Sequence, residues 1–331
     1  MSETESLHID LALEAQEVAT KRDNTSQIPG VHSETEEDNG IRVTRIEVRT
    51  PEGARAIGKI EGHYITLEVP GLRSKDTDLQ HRVTQKFARE FEMLLKRLGI
   101  PKDSKALIIG LGNWNVTPDS LGPLVVENIT VTRHFFQLMP DQVDEGYRQV
   151  SAVAPGVLGT TGIETGEIVQ GIVEKSKPDF VIAIDALASR ALERVNTTIQ
   201  IADTGINPGS GLGSKRIGLN KETLGVPCIA VGVPTVVYAS TIVNNCIDLL
   251  ISNFKKQTNN TEYIFGVLDK MSREERHLMV REVLNPLGQD LLVTPKDIDE
   301  FIEDIANVIA AGLNESLHEA IRPDNAAAYT H

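Results

Sequence analysis

Short, continuously apolar runs alternate with longer stretches of helical periodicity through most of this chain. The clearest runs are Ala106–Leu111 and Phe180–Ile184. A run apolar at every position needs cover on both faces, as an interior strand of a parallel sheet has. Similar strands are expected at 197–202 and 228–233. Between Asp76 and Leu98, the residues Val83, Phe87, Phe91, Leu94, Leu95 and Leu98 share one helical face, and Gly99 with Pro101 closes that helix. A second helix is expected from about residue 118. A third is expected near the end, where Thr294-Pro295-Lys296-Asp297 reads as a capped start and Ile298, Phe301, Ile302, Ile305, Val308 and Ile309 recur at helical spacing. The alternation predicts a three-layer α/β fold, with a largely parallel sheet and helices on both faces.

The first 40 or so residues are polar, acid-rich and broken by Pro29-Gly30 and Asn39-Gly40, so residues 11–40 are expected to form a mobile arm. Its apolar island, Leu7–Leu13, fits either a strand or a helix and is expected to dock on something. Alternating runs from Ile41 to Val69 predict a small β-rich unit over 41–70, within a single α/β domain over 41–331.

A chain of 331 residues can bury a large core. Its net charge of −14 argues against nucleic acid as a direct ligand, because a phosphate backbone repels such a surface. No apolar run approaches the roughly 18 residues needed to span a bilayer, and the acidic start Met1-Ser2-Glu3-Thr4-Glu5 is unlike a signal peptide. Two cysteines, Cys228 and Cys246, make no disulfide framework and match no zinc spacing, which points to buried thiols in a reducing cytoplasm. No cofactor and no metal site are expected.

Two carboxylates carry the candidate chemistry. Asp119 follows the run ending at Leu111, through Gly112-Asn113-Trp114-Asn115-Val116-Thr117-Pro118, and Asp185 ends the run Phe180–Ile184. The carboxyl ends of strands in open α/β sheets are where ligands bind. Asp119 is also explained as a first-turn acid behind Thr117 and Pro118, and Asp185 as a loop cap. If both reach one cleft they cannot ionise independently, and one retains its proton to higher pH. Such a pair supplies a base for water and an acid for a leaving amine.

Glycine-rich stretches offer close backbone approach to an extended peptide, or simply turn corners. They include Gly112 with Asn113, Gly159 within 155–162, and Gly209 with Gly211 within 205–213. The dinucleotide fingerprint fails at Asn115, no P-loop is present, and HExxH is absent. Ser210 lacks the nucleophile-elbow context. His134 is a weaker candidate, placed near Asp119 if one helix runs from 118 to 134.

The strings Gly110–Pro123, Pro178–Ala188, Asn207–Gly211 and Gly232–Val237, together with the ending Ala328–His331, resemble the germination protease family of spore-forming bacteria. The resemblance implies an aspartic-type endopeptidase, unlike pepsin, in which Asp119 and Asp185 match two essential aspartates. It implies the fold shared with hydrogenase maturation endopeptidases, a homotetramer, and a place in the cytoplasm of the forespore and spore core. The implied substrates are small acid-soluble spore proteins, cut after an acidic residue and before an apolar residue followed by Ala. It further implies a zymogen that removes its own propeptide, residues 1–10, at Asp10–Leu11 within Ile9-Asp10-Leu11-Ala12. Two other readings stay open: a metal-dependent endopeptidase with the same aspartates as ligands, and a non-catalytic peptide-binding module.

Overall fold

In chain order the elements are α1 (Ala12–Arg22), β1 (Val31–Asp38), β2 (Ile41–Val48), α2 (Pro51–Ile57), β3 (Gly62–Glu68) and α3 (Thr77–Arg97). Next come β4 (Ala106–Gly110), α4 (Leu121–Glu127), α5 (Arg133–Leu138), β5 (Val150–Val153), α6 (Leu158–Thr161) and α7 (Thr165–Ser176). The remainder are β6 (Phe180–Ser189), β7 (Thr198–Ala202), α8 (Lys221–Leu224), β8 (Cys228–Tyr238), α9 (Ala239–Gln257), α10 (Arg273–Leu284), β9 (Leu292–Val293) and α11 (Ile298–Leu317). These come from a computed structural model that describes residues 9–25, 27–207, 217–257, 271, 273–284 and 291–321. The ending Ala328–His331 lies outside the described residues.

Among the described residues nine strands form one sheet, ordered β1-β2-β3-β7-β8-β6-β4-β5, with β9 added to β8. The α/β layering agrees with the expectation, while the parallel pairing is concentrated in the half β8-β6-β4-β5. The half running from β1 to β8 is antiparallel. β7, expected as one of the parallel series, is antiparallel to both β3 and β8. The physical reason is the link from Ser189 to Thr198, which holds only a 3-10 turn at Leu192–Arg194. A parallel return needs a crossover of about a dozen residues, usually helical.

Side-chain parity divides the sheet into two faces. Ile65, Leu67, Ile108, Ile182, Ile184, Ile199, Ile201, Ile229, Val231 and Val233 join Phe87, Phe91 and Leu94 of α3 and Ile305, Ile309 and Leu313 of α11 in the main core. On the opposite face two separate groups form. Leu107, Ile109, Val181 and Ala183 pack with Val169 and Val173 of α7 and Leu224 of α8. Ile46, Val48, Tyr64 and Ala202 pack with Ala12, Leu13, Ala15 and Ala19 of α1 and Ile57 of α2. The sheet surface between these two groups is left for the site.

Residues 11–40 are not a detached arm. Leu11 is fully buried, α1 packs in the second group above, and β1 pairs with β2 along its whole length. The acid-rich composition misled because β1 is an edge strand with its side chains in water. Its Glu37 and Glu36 meet Arg42 and Arg45 across the hairpin at 2.9 and 3.0 Å, and Asn39-Gly40 forms the turn with φ of 49° and 80°. The β-rich stretch 41–70 is likewise no separate unit, since β3 pairs with β7 inside the common sheet.

The helix expected near 118 is split into a 3-10 turn at Thr117–Asp119 and α4, which stops at Glu127. At the C-terminal helix, Thr294 does not cap. Its hydroxyl donates to the Thr235 carbonyl at 2.9 Å, and Asp297 occupies the position before α11.

Candidate active site

Counting along β6 from Val181 and Ala183, residue 185 falls on the face away from α3 and α11. Asp185 therefore emerges beside the gap between the two helical groups. It is 8% exposed, and one carboxylate oxygen accepts from the Ala186 N–H at 2.9 Å. In register with it across the sheet are Gly232 of β8 and then Gln200 of β7. Gly232 lacks the side chain that would fill this line, and a Cβ there would press on Leu187.

Asp119 arrives from the neighbouring strand. β4 ends at Gly110, paired with Ile184, and the Leu111 N–H continues the ladder to the Ile184 carbonyl at 2.8 Å. The loop then folds back so that the Asn113 N–H donates to the Asp119 carbonyl at 3.0 Å. Gly112 has φ +111°, and any Cβ on it would overlap that same carbonyl. The Thr235 hydroxyl, from β8, donates to the Pro118 carbonyl at 2.6 Å. The turn carrying Asp119 is thus tied on one side to its own strand and on the other to β8.

Asp119 and Asp185 line one cleft of about 970 Å³ together with Asp10, Lys59, Tyr64, Gln200 and Gly232. The wider wall includes Asp203, whose carboxylate is held by the His63 backbone N–H and ring Nδ1, each at 2.7 Å. Burial pushes the Tyr64 hydroxyl up to about 12, so it stays protonated at ordinary pH. Among the described residues no group of three or more His, Cys, Asp or Glu side chains is arranged to hold a metal ion.

The N-terminal segment meets this cleft at Asp10. Leu11 is extended, with φ −79° and ψ 127°, and α1 begins immediately after it. Gln200 reaches both sides of Leu11: its Oε1 accepts from the Ala12 N–H at 2.6 Å and its Nε2 donates to the Asp10 carbonyl at 3.2 Å. Lys59 Nζ donates to the carbonyls of Ile9 and Asp10 at 2.6 and 2.8 Å. The Asp10 carboxylate accepts from the Ala188 N–H at 2.8 Å. That donor sits where the β6–β8 register shifts between Leu187 and Ala188, and bulges re-aim groups in this way near sites.

Downstream, Glu14 is buried and accepts from the Ser189 hydroxyl at 2.8 Å and the Arg190 N–H at 2.9 Å. Burial raises its pKa against these donors and the nearby Arg194. Arg194 also grips Glu17 at 2.6 Å and Glu68 at 3.0 Å, which fastens α1 to β3.

The remaining sequence candidates fall elsewhere. Asn113 and Gly112 shape the Asp119 turn without lining the cleft. Gly159 is exposed in α6 and does not line the cleft. His134 is exposed on α5, tilted against Phe135 with ring centroids 4.0 Å apart, because the helix assumed to connect it to Asp119 ends at 127. Gly209 and Gly211, with Ser210, lie outside the described residues. Cys228 is buried and its thiol is pushed up to about 12, as suits an inert core group, whereas Cys246, also expected to be buried, is exposed on α9. Sequence reasoning missed Lys59, Gln200 and the Ala188 N–H. Only Gln200 left a trace, as a polar side chain amid the apolar residues of β7.

No described helix is long and apolar enough to cross a membrane. The sequence model of the germination protease family matches residues 9–263 and 255–330. Germination proteases of a Geobacillus species (strain WCH70) and of Bacillus cereus (strain AH187) are each 49% identical to this chain, over 363 and 358 aligned residues, covering 98% of it and 97% of each relative. Among solved structures, a [NiFe] hydrogenase maturation protease from Thermococcus kodakarensis is 17% identical, covering 63% of this chain and 92% of its own, with a TM-score of 0.29. Extensive identity over nearly the whole length places the chain in the germination protease family.

Proposed function

We propose that this chain is a self-processing endopeptidase of spore germination that cuts its own Asp10–Leu11 bond, and then small acid-soluble spore proteins, with Asp119 and Asp185. The observation that carries this reading is the position of Ile9-Asp10-Leu11-Ala12. Asp10 of this segment, which has the expected substrate pattern of acidic residue then apolar residue then Ala, lines the same cleft as the two aspartates. Its acidic side chain is bound by a backbone N–H and its flanking amides are held by Lys59 and Gln200.

Hydrolysis by this pair is a proton relay. The ionised carboxylate takes a proton from water as the water oxygen attacks the residue 10 carbonyl carbon. The protonated carboxylate delivers its proton to the Leu11 nitrogen as the C–N bond breaks. The products are the carboxylate of Asp10 and the amine of Leu11. Two coupled carboxyls titrate as a unit, so neither role is assigned to one residue. The same reading includes a homotetramer in the spore core that takes protein, not nucleic acid, as substrate. It also makes residues 1–10 an occupant that keeps other peptides out of the cleft.

The test is a peptide pair added to processed protein, one containing Ile-Asp-Leu-Ala and one Ile-Asn-Leu-Ala. Cleavage of the first between Asp and Leu, unchanged by exhaustive chelation, with cleavage of the second slower by at least tenfold, is expected. Loss of cutting on chelation would favour the metal-dependent reading, and binding of both peptides without cutting would favour a binding module.

A further inference from the structure

The carbonyl of Asp10 has two side-chain donors on it, from elements far apart in sequence. Lys59 follows α2, whereas Gln200 lies inside β7 and is 8% exposed. Lys59 Nζ stands 2.8 Å and Gln200 Nε2 3.2 Å from that one oxygen. A peptide carbonyl in an extended segment needs no more than one partner. An ammonium and an amide aimed together at the carbonyl before Leu11 match what a tetrahedral intermediate demands of its surroundings.

We propose that Lys59 and Gln200 form the oxyanion-stabilising pair of this peptidase, acting on the carbonyl of the residue before the cut. The assignment rests on the reading that Asp10–Leu11 is a cleaved bond.

When water attacks the residue 10 carbonyl carbon, the π-bond pair moves onto the oxygen that these two groups already touch. The new negative charge is met by an ammonium and an N–H without reorganisation. It returns to re-form the carbonyl as the C–N bond breaks. The aspartates are then free for proton transfer alone: one takes the proton of water and the other supplies the Leu11 nitrogen. Lys59 suits the task because it is half-buried and donates to the carbonyls of Ile9 and Asp10. Burial lowers its pKa while the charges of Asp10 and Glu14 oppose that, so the ammonium is strengthened as a donor.

Gln200 has a competing, purely structural explanation. Its Oε1 accepts from the Ala12 N–H at 2.6 Å and so caps α1, which has no cap of its own. Gln200→Glu separates the two roles, since a carboxylate still accepts from Ala12 but cannot donate to the Asp10 carbonyl. Lys59→Met keeps the apolar stem and removes the donor, and Lys59→Arg restores a cation.

The experiment follows the full chain by intact mass and N-terminal sequencing, with hydrogen exchange at the Ala12 amide as a measure of whether the segment stays seated. Wild type is expected to yield a new N-terminus at Leu11. Lys59→Met and Gln200→Glu are expected to slow that cut by about 100- to 1,000-fold, with Ala12 still protected. Lys59→Arg is expected to recover part of the loss. Processing of both Lys59→Met and Gln200→Glu at the wild-type rate would overturn the assignment and leave only a capping role. Wild type that never cuts at this bond would instead overturn the parent reading, and this assignment with it. Should Lys59→Met fail to fold, Gln200→Glu and Lys59→Arg decide by the same rates.

Discussion

Gly112 and Asp119 are packed backbone against backbone, so closely that a β-carbon on Gly112 would collide with the Asp119 carbonyl. The contact fixes where the Asp119 turn lies relative to the end of β4. Gly112 also holds φ +111°, a conformation that side chains resist. Gly112→Ala is therefore expected to destabilise the fold by about 1–3 kcal/mol and to reduce peptide cleavage by more than that loss of folded protein explains. Thermal unfolding alongside cleavage rate at a temperature where the variant is folded checks this.

Thr235 holds the same turn from the other side. Its hydroxyl bond to the Pro118 carbonyl is 2.6 Å long, and the residue is 1% exposed. Thr235→Val keeps the shape and leaves the half-buried Pro118 carbonyl without that donor, a cost of about 1 kcal/mol. The expected result is a folded protein with slower cleavage. An unaltered rate would show that the turn needs no anchor on β8.

Asp10 is bound through its carboxylate by the Ala188 N–H at 2.8 Å. Asp10→Asn retains an acceptor without the charge, and charge-assisted bonds are about twice as strong as neutral ones. Removal of the first ten residues is expected to slow, while Asp10→Leu should stop it at this position. N-terminal sequencing after timed incubation reads both outcomes.

His318 provides a pH prediction remote from the cleft. It is fully buried beyond the end of α11, its Nδ1 accepts from the Arg148 N–H at 3.1 Å, and Nε2 lies 3.1 Å from the Thr130 carbonyl. Burial pushes its pKa down to about 4 from 6.5. The native state binds the proton less readily than the unfolded chain does. Stability is therefore full above pH about 6.5 and is lost as pH falls toward 4, by roughly 3 kcal/mol. His318→Gln should flatten the dependence of unfolding free energy on pH between 6.5 and 4, measured by urea titration.

Much of this arrangement was legible in the residues. Phe180–Ile184 and Ala106–Gly110 are strands because runs apolar at every position can only be buried on both faces. That parity then carried Asp185 to the face on which the cleft opens. The long helix from Asp76 was readable from its apolar stripe, and the Asp76 carboxylate caps it by accepting from Asp78 and Leu79. What stayed hidden depended on long-range pairing. Val31–Asp38 looked unstructured because its side chains are charged, yet an edge strand is held by its backbone ladder and cross-strand ions. β7 looked like one more parallel strand, and only the short link after Ser189 turns it antiparallel. Lys59 and Gln200 acquire meaning only when residues 9–12 are laid beside them, 49 to 190 positions apart in sequence.

The central claim is that Asp119 and Asp185 jointly hydrolyse the Asp10–Leu11 bond, whose Asp10 lines their cleft. Its most direct test is a mass-spectrometric time course of the full chain, for wild type, Asp119→Asn and Asp185→Asn, under chelation. Wild type should lose residues 1–10 at Asp10–Leu11, and each variant should process at least about 1,000-fold more slowly while unfolding as wild type does. Normal processing by either folded variant would contradict the account.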